Sequence, residues 1–179
     1  MPEPSDYWTE FARRLTELAA EPVLIGALAA LMYRAEPRFT TDVNFLVRSL
    51  DGVADAFRAD GYDVREMAEP GGEPYVMFVR GRGQRMDALL VETDYQDAAH
   101  RRSIGGVLAV EDVIVHKLIA WRARDRDDID SILSTRPLLD HAYIQQWTQE
   151  WQVADRWAEA LGAAPRGAPD WPRDGTTCS

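Results

Sequence analysis

Cysteine is almost missing: among 179 residues there is one, Cys178. A single thiol excludes a disulfide framework and a cysteine-based zinc site. Long apolar runs are missing too. None reaches the ~18 residues that a membrane-spanning helix needs, and the acidic N-terminus is unlike a signal peptide. The expected location is therefore cytoplasmic, with no membrane partner. Net positive charge is also lacking: 20 Lys and Arg against 30 Asp and Glu leave a formal charge of −10. Repulsion then opposes free-standing binding to nucleic-acid backbone, although a local basic pocket, an RNA end or a basic protein partner stays compatible. The histidines, His100, His116 and His141, have no ligand-like spacing. They are expected to be structural or exposed, and no Ser-His-Asp or Cys-His set is suggested.

What is present suits one soluble α+β domain. Apolar residues make up 46% and charged residues 28%, ordinary values for a globular chain with a real core. Trp8, Phe11, Leu15 and Leu18 recur at helical spacing behind Ser5, a candidate cap. Strands are expected at 23–25, 42–48, 62–66, 75–80 and 84–91, the last two joined by a hairpin through Gly81-Arg82-Gly83. Helices are expected at 27–34 and 50–60. From Val110 the pattern becomes helical, with segments at 110–123, 125–134 and about 140–160. Residues 1–109 thus read as an α/β core with a small mixed sheet flanked by helices, and 110–162 as a C-terminal helical subdomain. The tail, 163–179, is rich in Pro and Gly and is expected to lack fixed structure. Trp147, Trp151 and Trp157 read as packing groups of the helical part.

The stretch from Val23 to Val47 is the most informative. An apolar strand meets Gly26, passes into a helix, turns at Pro37 and re-enters a strand at Asp42-Val43-Asn44. Side chains alternate along a strand, so Asp42 and Asn44 share one face while Val43, Phe45 and Val47 take the other. A glycine at a strand-to-helix turn lets backbone N–H groups approach a phosphate, and oxygen ligands two residues apart can share a metal ion. Asp87 interrupts the apolar strand Gln84–Val91. An acid there needs a partner or a cation if it is buried; alternatively, Asp42 merely starts a strand and Asp87 faces solvent.

Lys117 projects from the apolar face formed by Val113, Lys117 and Trp121. It can snorkel, pair with an acid or meet an anionic ligand. The dense run Arg122, Arg124, Asp125, Asp127, Asp128 and Asp130 reads as a solvated helix start, or as the source of an acid facing Lys117 or Arg122. Arg38 and Thr40 lead into Asp42 in the order Arg-x-Thr-x-Asp. Arg38 can meet phosphates or cap, and Thr40 can orient the loop.

These motifs resemble the polymerase-β-type nucleotidyltransferase fold, and within it the small bacterial proteins related to the AbiEii toxins. The resemblance rests on Gly26-Ala27, on Arg38-Phe39-Thr40-Thr41-Asp42-Val43-Asn44, on Arg85-Met86-Asp87-Ala88-Leu89, and on the run from Glu111-Asp112 through Lys117-Leu118 and Arg122 to Asp125, in that order over roughly residues 20 to 135. It implies an NTP as substrate and Mg²⁺ as cofactor. Gly26, Ala27, Arg38, Thr40 and Lys117 would contact the nucleotide; Asp42, Asn44 and Asp87 would hold metal; Asp42, Asp87 and Lys117 would carry catalysis. The acceptor would be an RNA, a protein or a small molecule, and an antitoxin-like protein would be a partner. Two positions depart from the family pattern: Ala27 replaces a hydroxyl or glycine, and Asn44 replaces the second metal-binding Asp. The loss of that charge makes a catalytically inactive nucleotide-binding or protein-interaction module the alternative.

Overall fold

The computed structural model describes residues 4–163, so the expected unstructured tail lies outside the described residues apart from Ala163. Two compact units divide the chain. The first takes the residues up to Ala29 together with Phe39–Ala109; the second takes Ala30–Arg38 and the residues from Val110 onward.

The first unit is α+β and is built on a five-stranded mixed sheet. Its elements are α1 (Pro4–Glu17), β1 (Val23–Ile25), the start of α2 (Gly26–Leu31), β2 (Asp42–Val47), α3 (Val53–Ala59), β3 (Asp63–Ala68), β4 (Pro74–Gly81), β5 (Gln84–Leu90) and α4 (Asp94–Arg101). Strand order is β1-β2-β5-β4-β3. β2 and β5 run parallel, and every other pair is antiparallel. Val43, Phe45 and Val47 line one face with Met77, Val79, Met86 and Ala88, and all are buried. That alternation is what the sequence of β2 dictates. Leu24 and Leu46 are buried as well, so the end of β2 is covered on both faces while its start at Asp42 is open. Phe11 of α1 packs against Phe57 and Tyr62, with ring centroids 6.0 and 5.8 Å away.

α4 has no counterpart among the expected elements. Its eight residues are too few to show a clear apolar period, and its signal is a reciprocal cap instead. The Thr93 side chain accepts from the Gln96 N–H while the Gln96 side chain accepts from the Thr93 N–H. The helix brings His100 inward, where its Nε2 lies 2.7 Å from the Glu21 carbonyl oxygen; His100 is structural.

The second unit contains α5 (Val110–Ala120), α6 (Ala123–Ser134), α7 (His141–Glu150) and α8 (Ala154–Ala163). The single helix expected over 140–160 is in fact two. α7 ends in a left-handed residue, Gln152 at φ 55°. The Val153 N–H reaches back to the Thr148 carbonyl at 2.8 Å and the Gln152 N–H to that of Gln149 at 3.0 Å. That is a Schellman ending, with buried Val153 as its apolar contact. Glycine normally marks such a stop, and none stands here. Trp147 and Trp157 are buried as expected of packing groups, whereas Trp151 is 40% exposed. Ala30–Arg38 belong to this unit because Arg34 and Arg38 both ion-pair with Asp128 of α6.

Candidate functional site

In the first unit the sheet register assembles a row of residues around Asn44. Gly26, at φ +73°, turns the chain from β1 into α2, and a Cβ added there would lie 2.9 Å from the Asn44 Nδ2. The turn therefore rests directly on the Asn44 side chain, and only glycine suits both the backbone and the space. On the other side Asn44 is the Cα partner of Asp87 across the parallel β2–β5 pair, and Asp42 is that of Arg85. Asp87 in turn faces Phe78 across β4. Strand alternation thus puts Asp42, Asn44, Arg85, Asp87, Phe78 and Arg80 on one face, opposite the buried apolar face. Asp42 is exposed, and Asn44 and Asp87 are half-buried. Ala27 follows Gly26 in α2, and Thr40 lies in the segment leading to β2.

Asp87 has an ionic partner on the neighbouring strand β4. Arg80 Nη1 lies 2.6 Å from Asp87 Oδ1. The same nitrogen donates to the Val79 and Met86 carbonyls, each at 2.9 Å. Those two bonds take both Nη1 hydrogens, so the contact with Asp87 is one of charge rather than an aligned hydrogen bond. Accordingly Asp87 Oδ1 is shielded from solvent yet has no hydrogen-bond donor among the described residues. The guanidinium also lies over the Phe78 ring, 5.6 Å from its centroid. Alternation along β4, combined with the hairpin at Gly81-Arg82-Gly83, is the signal that could have brought Arg80 to Asp87.

Lys117 and Arg38 belong to the second unit. Lys117 is 5% exposed, and its Nζ bridges Asp125 Oδ1 at 3.1 Å and Asp128 Oδ2 at 2.7 Å. Pairing with an acid was one of the outcomes open to it. Arg38 grips Asp128 with two bonds, of 2.8 Å from Nε and 3.0 Å from Nη2. Arg34 adds a bond to Asp128 and one to Asp127. Asp125 also accepts from the side chain and the backbone N–H of Arg122, which closes the start of α6. Both buried acids lie fully out of solvent. Burial alone would raise the Asp128 carboxyl, but the bonds from Arg38 and Lys117 outweigh it and hold the pKa at about 2. For Asp125, burial is likewise overcome by Arg122 and Lys117, and its pKa is lowered. The charged run beyond Arg122 is therefore only partly a solvated helix start.

No family model matches this sequence, and no curated protein matches it. Among solved structures the chain is similar to a candidate nucleotidyltransferase from H. pylori, at 16% identity and a TM-score of 0.48, over 90% of this chain and 82% of that one. It is also similar to an antigenic nucleotidyltransferase-like protein from Paracoccidioides brasiliensis, at 17% identity and a TM-score of 0.48, over 90% of this chain and 93% of that one. No residue's role follows from either likeness.

The donors on the sheet face of the first unit are oxygens: two carboxylates and an amide carbonyl. That set of hard oxygens suits one divalent cation such as Mg²⁺, although Asp87 Oδ1 itself already faces the Arg80 guanidinium. The set does not suit two ions. Among the described residues no group of three or more His, Cys, Asp or Glu is placed to hold a metal, and Arg80 already offsets the charge of Asp87.

Proposed function

We propose that this is a nucleotidyltransferase-like protein whose first unit binds an NTP with a single Mg²⁺. The observation that supports this reading is the in-register alignment of Asn44 with Asp87, beside a left-handed glycine that rests on Asn44. Asp42, Asn44 and Asp87 would hold the ion, and the backbone N–H groups at Gly26 and Ala27 would approach the phosphates. When bound, Mg²⁺ would screen phosphate charge while an acceptor hydroxyl displaces pyrophosphate from the α-phosphorus. The chain's own part is placement. Gly26 keeps the turn free of a side chain, Asn44 orients the turn against the sheet, and Asp87 is the carboxylate best placed to accept a proton from an acceptor hydroxyl. Thr40 would order the approach to Asp42. An RNA, a protein or a small molecule would serve as acceptor, and an antitoxin-like partner remains part of this reading.

Lys117 and Arg38 enter this reading in a modified role. Their bonds to Asp125 and Asp128 favour ordering of the second unit over direct contact with phosphate.

A second reading, a nucleotide-binding module without turnover, is favoured by two observations on the same face. Asn44 supplies no charge, and Asp87 is engaged by Arg80. Incubation with radiolabelled NTPs, MgCl₂ and cellular RNA or protein separates the two. Label transfer that Asp87→Asn abolishes supports the enzyme. Binding with no transfer, and transfer gained in Asn44→Asp, supports the module. Absence of any nucleotide binding contradicts both.

A further inference from the structure

The sheet face around Asp87 carries as much positive as negative formal charge, and that balance has a functional meaning. Its acids are Asp42, Asp63 and Asp87; its guanidiniums are Arg65, Arg80 and Arg85, with Arg85 exposed opposite Asp42 and Asp63 across from Arg80. We propose that Arg80 is a built-in countercharge standing where a second divalent ion would otherwise be needed, so that nucleotide polyphosphates bind this site with one ion or none. The inference rests on the reading of the first unit as a nucleotide site and specifies how that site tolerates its ligand's charge.

The geometry favours a fixed charge over a casual surface pair. Arg80 is tied at Nη1 by two backbone carbonyls, one from its own strand and one from β5. Its guanidinium also rests over Phe78. Being anchored to the sheet, it loses little additional freedom when a ligand arrives. Its charge is directed at Asp87 Oδ1, 2.6 Å away, yet no hydrogen is aligned to that oxygen. The carboxylate is thereby neutralised without being used up as an acceptor. A triphosphate approaching three bare acids would be repelled unless ions bridged them. Here Asn44 has removed one negative charge and Arg80 offsets another, so the repulsion that would make ions obligatory is reduced to that of Asp42. The remaining guanidinium hydrogens, planar and permanently charged, match phosphate oxygens.

Isothermal titration calorimetry of the full chain with ATP and with inorganic tripolyphosphate, each in excess EDTA and in MgCl₂, tests this directly. The wild-type affinity for both probes is expected to change less than about threefold between the two conditions. Arg80→Met is expected to lose about tenfold or more in EDTA and to recover most of that in MgCl₂. Arg80→Lys, which keeps the charge, should retain binding in EDTA, and thermal unfolding of each variant checks that the sheet is intact. A merely structural arginine would weaken both conditions equally. Binding that requires Mg²⁺ in the wild type, with the same dependence in Arg80→Met, overturns the countercharge role and leaves the nucleotide site standing. No binding of either probe in either condition overturns the nucleotide site, and this inference with it.

Discussion

The Lys117 ammonium lies 2.7 Å from the Asp128 carboxylate, and solvent reaches almost none of either side chain. Taking two charges out of water is costly, and the cost is met only while every partner stays in place. Removing one partner strands the other. Lys117→Met or Asp128→Asn is therefore expected to destabilise the second unit by about 3–5 kcal/mol. Urea unfolding of both variants checks this. The double variant should lose much less than the sum of the two, since the residues share one network.

Acid should loosen the same cluster. The Asp128 pKa is about 2 in the folded chain against an ordinary 3.8, so protons bind more readily to the unfolded chain. The resulting stability is fully present above pH ~4 and is lost as pH falls from about 4 through about 2. Urea midpoints measured across that window should fall more steeply for the wild type than for Asp128→Asn, which has no carboxyl to protonate.

Gly26 is held to glycine twice over, by its positive φ and by Asn44 at 2.9 Å from any added Cβ. Gly26→Ala is expected to cost about 1–2 kcal/mol from the backbone alone and to displace the end of the Asn44 side chain. Thermal unfolding measures the first effect. Loss of nucleotide affinity at a temperature where the variant is folded measures the second.

Thr93 caps α4 through the Gln96 N–H at 3.1 Å. Thr93→Ala should cost about 1 kcal/mol, and amide exchange should show the loss concentrated in Asp94–Arg101. The Gln96→Ala variant should act in the same direction through the other half of the reciprocal pair.

Where each residue's environment is local, the sequence is a good guide. Alternation in Asp42–Val47 separates Asp42 and Asn44 from Val43, Phe45 and Val47, and the structure has that arrangement because one face must bury its apolar set. The hairpin between β4 and β5 was similarly legible from its glycines. What escaped depends on pairing across distance or on breaks without their usual marker. Arg80 finds Asp87 only once the hairpin register is known. The break at Gln152 lacks the glycine that usually marks such an ending. In the sequence Arg34 ends an expected helix and Arg38 stands in the segment leading into Asp42. Their attachment to the second unit follows from Asp128, some 90 positions away, which no spacing rule can supply.

The most direct test of the account is a titration of the ¹⁵N-labelled chain with ATP, followed by amide shifts. Concentrated changes are expected at Gly26, Ala27, Asn44 and Asp87, together with their loss in Asp87→Ala. Changes confined to residues away from that row, or none at saturating ATP, would contradict it.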